Sequence, residues 1–210
     1  MPRVDLHVHT VCSGDAVNRL CHIATALKKV DAVAICDHNE IACALKARRL
    51  LGPRVIVGTE IDTGEGELLG LFLSDRVAAG LGLRRTADAI RSQGGLVIAP
   101  HPFDTRRKGA GVALIRILDA LDAVEVLNAR TAGAAASTQA LRFAEEHGLA
   151  AVAGSDAHVP GEIGLAATLL DEVPRNAEQA RRLLKKSRPA GRNITFLERV
   201  YARVRRTLRL

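Results

Sequence analysis

The sequence predicts an α/β protein with a parallel sheet, and three observations carry that reading. Short apolar runs rich in Val, Ile, Leu and Ala recur along the chain, and amphipathic helical stretches separate most of them. Polar residues of metal-ligating type collect where the apolar runs end. Alternating strand and helix is the pattern of parallel strands joined by right-handed crossovers.

The apolar runs are Val4–Val8, Ala32–Cys36, Val55–Gly58, Leu68–Leu73, Leu96–Ala99, Ala123–Leu127, Ala150–Ala153 and Ala166–Leu170. In the first, Val4, Leu6 and Val8 alternate with Asp5, His7 and His9, which is the period-2 signature of a strand. Helical patterns fill Asn18–Lys28, Ile41–Leu51, Thr86–Gln93, Val112–Leu121 and Ser137–Glu146. The glycine-rich turn Thr63-Gly64-Glu65-Gly66 breaks the alternation and predicts a hairpin between the third and fourth strands. No internal repeat or low-complexity segment interrupts the pattern. At Pro174 the chain enters a basic helical tail, so residues 1–173 read as the domain and 174–210 as an extension.

At 210 residues the chain suits one domain with a single core. With four Phe, one Tyr and no Trp, that core must be aliphatic. The first residues read as strand with no signal-peptide apolar region, and no apolar run is long enough to cross a bilayer. No membrane partner is expected. Cys12, Cys21, Cys36 and Cys43 form no CxxC pair, so reduced thiols and a cytoplasmic location are expected. The net charge of +7 is unevenly spread. Residues 172–210 hold 12 Lys/Arg against 3 Asp/Glu, leaving 18 basic and 20 acidic groups elsewhere. The basic character belongs to the tail.

His7 and His9, two residues apart on a strand, point to one face, which suits a divalent-metal site. Asp37-His38-Asn39 follows the second strand, Glu60 the third, and Glu67 opens the fourth. His101 follows the fifth, Glu125 lies within the sixth with Asn128 and Arg130 after it, and Asp156 and His158 follow the seventh. The C-terminal edge of an α/β sheet is where sites are built, so this distribution predicts a multinuclear metal site. His22, inside a helix, and His147, beside Gly148 at a helix end, read as structural.

Five ordered motifs carry a family resemblance: Asp5-Leu6-His7-Val8-His9-Thr10, Asp37-His38-Asn39, Gly58-Thr59-Glu60-Ile61, Pro100-His101-Pro102-Phe103 and Gly154-Ser155-Asp156-Ala157-His158. They resemble the PHP (polymerase and histidinol phosphatase) superfamily of metal-dependent phosphoesterases, in its short stand-alone form. The resemblance implies a distorted (β/α)7 TIM-like barrel over residues 1–173, here with a basic C-terminal helix. It also implies two or three divalent ions: manganese, iron or zinc, with magnesium admitted. By similarity, His7, His9, Glu60 and Asp156 hold one ion, Asp15, His38 and His158 a second, and Glu60, Glu67 and His101 a third. Glu60 and Asp37 are the expected catalytic pair, Glu60 by bridging ions and Asp37 by orienting His38 from behind.

The chain departs from the family pattern twice. Ser13-Gly14-Asp15 reverses a common Ser-Asp-Gly order, so Asp15 can serve only if Gly14 lets the loop bulge. Glu67 stands where many members carry histidine, and a harder carboxylate ligand leans toward manganese, magnesium or iron there.

The expected chemistry is hydrolysis of a phosphate ester by hydroxide from a metal-bridging water, on phosphorylated metabolites or nucleotides. No Ser-His-Asp arrangement or Walker lysine competes with it. Arg130 and Asn128 are the candidate substrate contacts, since guanidinium binds phosphate bidentately. Arg106, Arg107 and Lys108 read as solvated loop. Two alternatives stand beside this: an exonuclease trimming oligonucleotides with help from the basic tail, and a non-catalytic module of the same fold. In the tail, Phe196, Val200, Val204 and Leu208 recur every four residues and predict an amphipathic helix docked by that stripe.

Overall fold

Seven strands wrap in chain order into a nearly closed barrel. The computed structural model describes residues 1–209. Strands β1 (Arg3–Val8), β2 (Ala32–Ile35) and β3 (Val55–Thr63) run parallel, and β4 (Gly66–Leu71) returns antiparallel through the predicted hairpin. β5 (Leu96–Ala99), β6 (Ala123–Asn128) and β7 (Ala150–Gly154) resume the first direction. β8 (Ala166–Leu169) and β9 (Arg188–Gly191) add antiparallel strands beyond β1. Between β7 and β1 no full ladder forms. A parallel bridge between Val8 and Ala157 closes the ring, with Asp156 N donating to the His7 carbonyl at 2.6 Å. Thr168 adds a side-chain tie, its hydroxyl donating to the Ala153 carbonyl at 3.0 Å.

Strand alternation sorts the side chains into two layers. Val33, Ile35, Val55, Val57, Val97 and Val124 face outward onto Ile23, Ala44, Ala47, Ala87 and Ile90. Those partners sit on helices α1 (Leu20–Ala26), α2 (Ala42–Leu51) and α3 (Leu83–Ser92), while α4 (Ala134–Glu146) covers the far side with Ala140 and Phe143. Val4, Leu6, Ala34, Ile56, Leu69, Ile98 and Val152 fill the barrel. Such close packing makes truncation costly: Ile90→Ala, at a fully buried site, would lose about 2–5 kcal/mol. Helix α5 (Ala177–Leu184) tucks Ala177, Ala180 and Leu184 against the inner layer. Its Arg181 reaches Asp122, just ahead of β6, at 2.9 Å, so α5 covers the N-terminal end of the barrel. The C-terminal end is left for the site.

Three expectations need correction. The helix expected over Val112–Leu121 is a 3-10 helix over Gly111–Ile117. Its buried residues, Leu114 and Ile117, are three apart, which suits three residues per turn better than 3.6. Cys12 and Cys43, expected as thiols, form a disulfide across a sequence separation of 31, leaving Cys21 and Cys36 free. The fold brings Cys12 beside the first turn of α2, a proximity that spacing cannot reveal. Helix α6 (Phe196–Leu208) does form, capped by Thr195, whose hydroxyl accepts from Glu198 N at 3.2 Å. It docks by the opposite face from the one expected: Ala202 is buried against Val17 and Val159, and the Phe196–Leu208 stripe is exposed. Among the described residues no helix is long and apolar enough to cross a membrane.

Candidate metal centre

Each strand of the barrel delivers a polar residue at the same rim. His7 and His9 come from the end of β1, Asp37 and His38 follow β2, and Glu60 lies in β3. Because β4 runs backwards, its first residues share that rim, and Glu67 pairs in register with Asp62. His101 follows β5, and Asp156 and His158 follow β7. His101 and Asp156 hold φ of 26° and 55°, left-handed values that cost a non-glycine residue on the order of 1–3 kcal/mol. Gly14, at φ 79°, ends the 3-10 turn Val11–Ser13 in the left-handed region, and Asp15 after it meets His158 at 3.0 Å. Gly154 is required for a different reason: a Cβ there would lie 2.5 Å from His7 Cβ and 2.6 Å from Glu125 Oε1.

The ligand-type atoms converge. His7 Nε2 and His9 Nε2 are 3.0 Å apart. Glu60 Oε2 lies 3.4 Å from His7 Nε2, 3.2 Å from His9 Nε2 and 3.2 Å from His38 Nδ1. Asp156 Oδ1 lies 3.3 Å from His9 Nε2 and 3.4 Å from His158 Nδ1. Glu60 Oε1 faces His101 Nε2 at 3.0 Å, with Glu67 Oε2 at 3.8 Å from the same nitrogen. His158 Nε2 meets Asp15 Oδ2 at 3.0 Å. Donors around an ion with bonds near 2.1 Å sit about 3.0–3.5 Å apart. Most of these separations fall in or near that range. Glu60 Oε2 and Asp156 Oδ1 are buried and accept no hydrogen bond. A buried oxygen without a partner is costly, and a cation among these donors would satisfy both. The residues fit a cluster of divalent ions.

Electrostatics point the same way. Burial would lower the His7 pKa, but the carboxylates of Asp156, Glu60 and Glu125 raise it well above its ordinary value. His9, likewise opposed by burial, rises to about 9 through its contacts with Asp156 and Glu60. Glu60 and Asp156 are held well below the usual carboxylate range despite burial, Glu60 by His7 and His101 and Asp156 by Arg107 and His7. The acids thus recruit whatever positive charge is present. His158 goes the other way, down to about 4, through burial and the charge on His9. Burial, then the charges of Glu60 and Asp62, push Glu67 up to about 9.

Behind the candidate ligands stands a supporting set, of which the sequence marked Asp37 for such a role and placed Glu125 and Asn128 at the rim without one. Glu125 Oε1 is 3.2 Å from His7 Nδ1, and its Oε2 accepts from His101 N and Asn128 Nδ2, both at 2.9 Å. A lone carboxylate inside an apolar strand was its only signal. Ser13 Oγ lies 2.8 Å from His9 Nδ1 and donates to Asp37 Oδ1 at 2.8 Å. Asp37 also accepts from Thr10 N and Thr10 Oγ1, each at 2.6 Å. Its carboxylate therefore stands behind His9 through Ser13 and touches His38 only indirectly, through the bond from His38 N to Ser13 Oγ. Asp5 accepts from Ser155 N at 2.9 Å and Gly164 N at 2.8 Å, pinning the turn that carries Asp156.

The two expected substrate contacts differ. Asn128 is buried and donates to Asp156 Oδ2 at 3.0 Å, so it steadies that carboxylate. Arg130 lines a cavity of about 430 Å³ at the barrel mouth together with Arg106, Arg107, Lys108, Arg199 and Arg206. Its guanidinium rests on Glu162 at 3.1 Å, and Glu162 in turn accepts from His158 N at 2.8 Å. Arg107, expected on a solvated loop, instead turns inward and pairs with Asp156. His22 and His147 stay outside the cluster, as expected: His22 accepts from Arg19 N, and His147 packs on Phe143.

A family model described as PHP-associated matches residues 135–189. The chain is 35% identical over 183 residues to an uncharacterized protein of Methanocaldococcus jannaschii, covering 81% of this chain and 71% of that one. Among solved structures, PsfC from Pseudomonas syringae superposes over 100% of both chains with a TM-score of 0.74 at 19% identity. A two-domain protein from Bacteroides vulgatus, containing a predicted PHP-like metal-dependent phosphoesterase, superposes with a TM-score of 0.72 at 18% identity. The match covers 91% of this chain and 65% of that protein.

Proposed function

Because the chain belongs to the PHP superfamily, we propose that its rim cluster holds two or three divalent ions and hydrolyses phosphate esters of small metabolites or nucleotides. The observation that carries this reading is Glu60, whose two buried oxygens face different imidazoles, Oε1 toward His101 and Oε2 toward His7, His9 and His38. A carboxylate so placed is suited to be shared between ions. In this reading His7, His9, Glu60 and Asp156 hold one ion, Asp15, His38 and His158 a second, and Glu60, Glu67 and His101 a third. Mixed imidazole and carboxylate donors suit manganese, iron or zinc, and the carboxylate-rich third set leans away from zinc.

Divalent ions bound there would activate water at neutral pH and neutralise charge on the phosphoryl oxygens. The chain's own groups supply the rest. Glu125 and Ser13 hold the Nδ1 atoms of His7 and His9, which aims both Nε2 atoms at the cluster. Asp37 acts one step further back, anchoring Ser13 and Thr10. The guanidinium groups of Arg107 and Arg130 at the mouth suit a phosphate. Asn128 contributes by fixing Asp156.

Metal analysis of protein purified without oxygen, beside a panel of phosphomonoesters and labelled oligonucleotides, tests the proposal. Two or three ions per chain with turnover of a monoester are expected. Cleavage confined to oligonucleotides would favour the nuclease reading, for which Arg199 and Arg206 extend the basic wall. A chain that binds no stoichiometric metal at neutral pH would overturn the proposal.

A further inference from the structure

Helix α6 turns an apolar face away from the protein. Phe196, Leu197, Val200, Tyr201, Val204 and Leu208 are 76, 78, 46, 53, 50 and 59% exposed, while Ala202 is 3% exposed. At about 100° per residue, the six apolar residues fall within an arc of roughly 140°, with Ala202 on the opposite side. Single exposed apolar residues are ordinary. Six sharing one arc of a 13-residue helix form a contiguous surface, which marks an interaction site.

Arginines are sorted around that arc. Arg203 borders it on one side and Arg205 on the other, where Arg205 donates to the Tyr201 hydroxyl at 3.0 Å. Arg206 and Arg199 point back to the barrel, Arg206 Nε donating to the Asp15 carbonyl at 2.6 Å and Arg199 to the Arg130 carbonyl at 3.2 Å. The helix is therefore anchored by its inner side and offers the apolar arc with a basic border outward.

Charge decides between occupants. Packing against a second copy would bring the arginine borders of two identical helices together. The helix's one carboxylate, Glu198, cannot relieve that, because Arg192 holds both its oxygens at 2.6 and 2.7 Å. A nucleic acid would leave the aliphatic Leu and Val side chains unmatched, since only Phe196 and Tyr201 can stack on bases. An anionic lipid surface satisfies both features. Apolar side chains enter the acyl boundary, and bordering arginines reach lipid phosphates.

We propose that α6 docks the protein peripherally on an anionic membrane surface. This departs from the expectation of no membrane partner. It is independent of the metal centre, although Arg199 and Arg206 of the same helix line the mouth of that site.

Sedimentation of the full chain with vesicles tests this, using phosphatidylcholine alone or mixed equally with phosphatidylglycerol. The wild-type protein should sediment with the mixed vesicles, be released by added salt, and ignore pure phosphatidylcholine. The pair Val200→Asp and Val204→Asp, at half-exposed positions, should reduce partitioning by more than about tenfold with an unchanged thermal unfolding midpoint. If that pair unfolds, Arg203→Ser with Arg205→Ser serves instead, and should weaken binding to the mixed vesicles alone. Absent or charge-independent vesicle binding overturns the proposal. So does a wild-type dimer in light scattering that the aspartate pair dissociates, which would assign the face to a second copy.

Discussion

Glu60→Gln changes the centre of the site while nearly preserving its shape. Glu60 is fully buried, with Oε1 at 3.0 Å from His101 Nε2 and Oε2 within 3.2–3.4 Å of three further imidazoles. Glutamine keeps one acceptor oxygen and replaces the other with an NH₂ group, which cannot ligate. One set of ligands thus loses its shared oxygen, whichever way the amide is turned. Loss of a partner that merely orients a ligand already weakens metal binding about 10–100-fold, so loss of the ligand itself should exceed the upper figure. Ions in such sites contribute several kcal/mol to transition-state stabilisation, so turnover should fall at least about 10³-fold, or about 4 kcal/mol. The fold should survive, because in metal-free protein the lost negative charge is matched by loss of a proton from His7 or His9.

The assay has three readouts: kcat on a phosphomonoester, ions per chain by elemental analysis, and the unfolding midpoint with chelator present. Low turnover, fewer ions and an unchanged midpoint are expected. Turnover near that of wild type with unchanged metal content would refute the shared role of Glu60.

Four further outcomes are expected. Glu125→Gln should weaken metal binding about 10–100-fold in calorimetry by freeing the His7 ring, and unchanged affinity would remove it from the site. Asp15→Asn should lose the ion at His38 and His158 while ions elsewhere persist, so full metal content in the variant would show Asp15 dispensable. Reducing Cys12–Cys43, which closes a separation of 31 residues, should cost roughly 3–4 kcal/mol on chain-entropy grounds, read as a lower unfolding midpoint with reductant. In metal-free protein His9 has its pKa raised from 6.5 to about 9, so its stabilisation is complete below pH 6.5 and lost as pH rises through 9. Urea midpoints with chelator should fall across that window, while metal affinity rises because the ligands must be deprotonated. A midpoint that climbs with pH would contradict the charge assignment.

What the sequence disclosed follows from how local each signal is. The strands were legible because Val4, Leu6 and Val8 repeat at the strand period, and the convergence of ligand-type side chains because they sit where such runs end. β9 was not, since Arg188-Pro189-Ala190-Gly191 has no apolar alternation and only pairing with β8 defines it. Asp15 was legible through Gly14, whose freedom at positive φ is a property of one residue. The partners of Asp37 were not, because Thr10 and Ser13 lie some two dozen residues earlier and meet it only in the folded barrel. For α6 the periodicity marked an amphipathic helix but did not say which side would dock. The larger residues suggested the stripe, whereas small Ala202 is what lets the backbone approach Val17 and Val159.

If the rim holds ions as proposed, its charge balance would link their binding to that of a phosphate. Without ions, Glu60 and Asp156 are compensated by protonated His7 and His9 and by Arg107, whose guanidinium pairs with Asp156 and lies 3.3 Å from Asn128 Oδ1. Divalent cations at the same carboxylates would make those compensations redundant. The imidazoles would give up their protons, and the hold of Asp156 on Arg107 would weaken because its charge is already matched. Arg107 lines the mouth cavity and is borne on the loop after His101, so a guanidinium released from Asp156 is already beside the space a phosphate would enter. Ion loading and phosphate affinity should therefore rise together. Arg107→Lys, which keeps the charge but loses the bidentate fork, should raise KM for a phosphomonoester more than it lowers kcat. An unchanged KM in that variant would mean that Arg107 stays with Asp156 throughout.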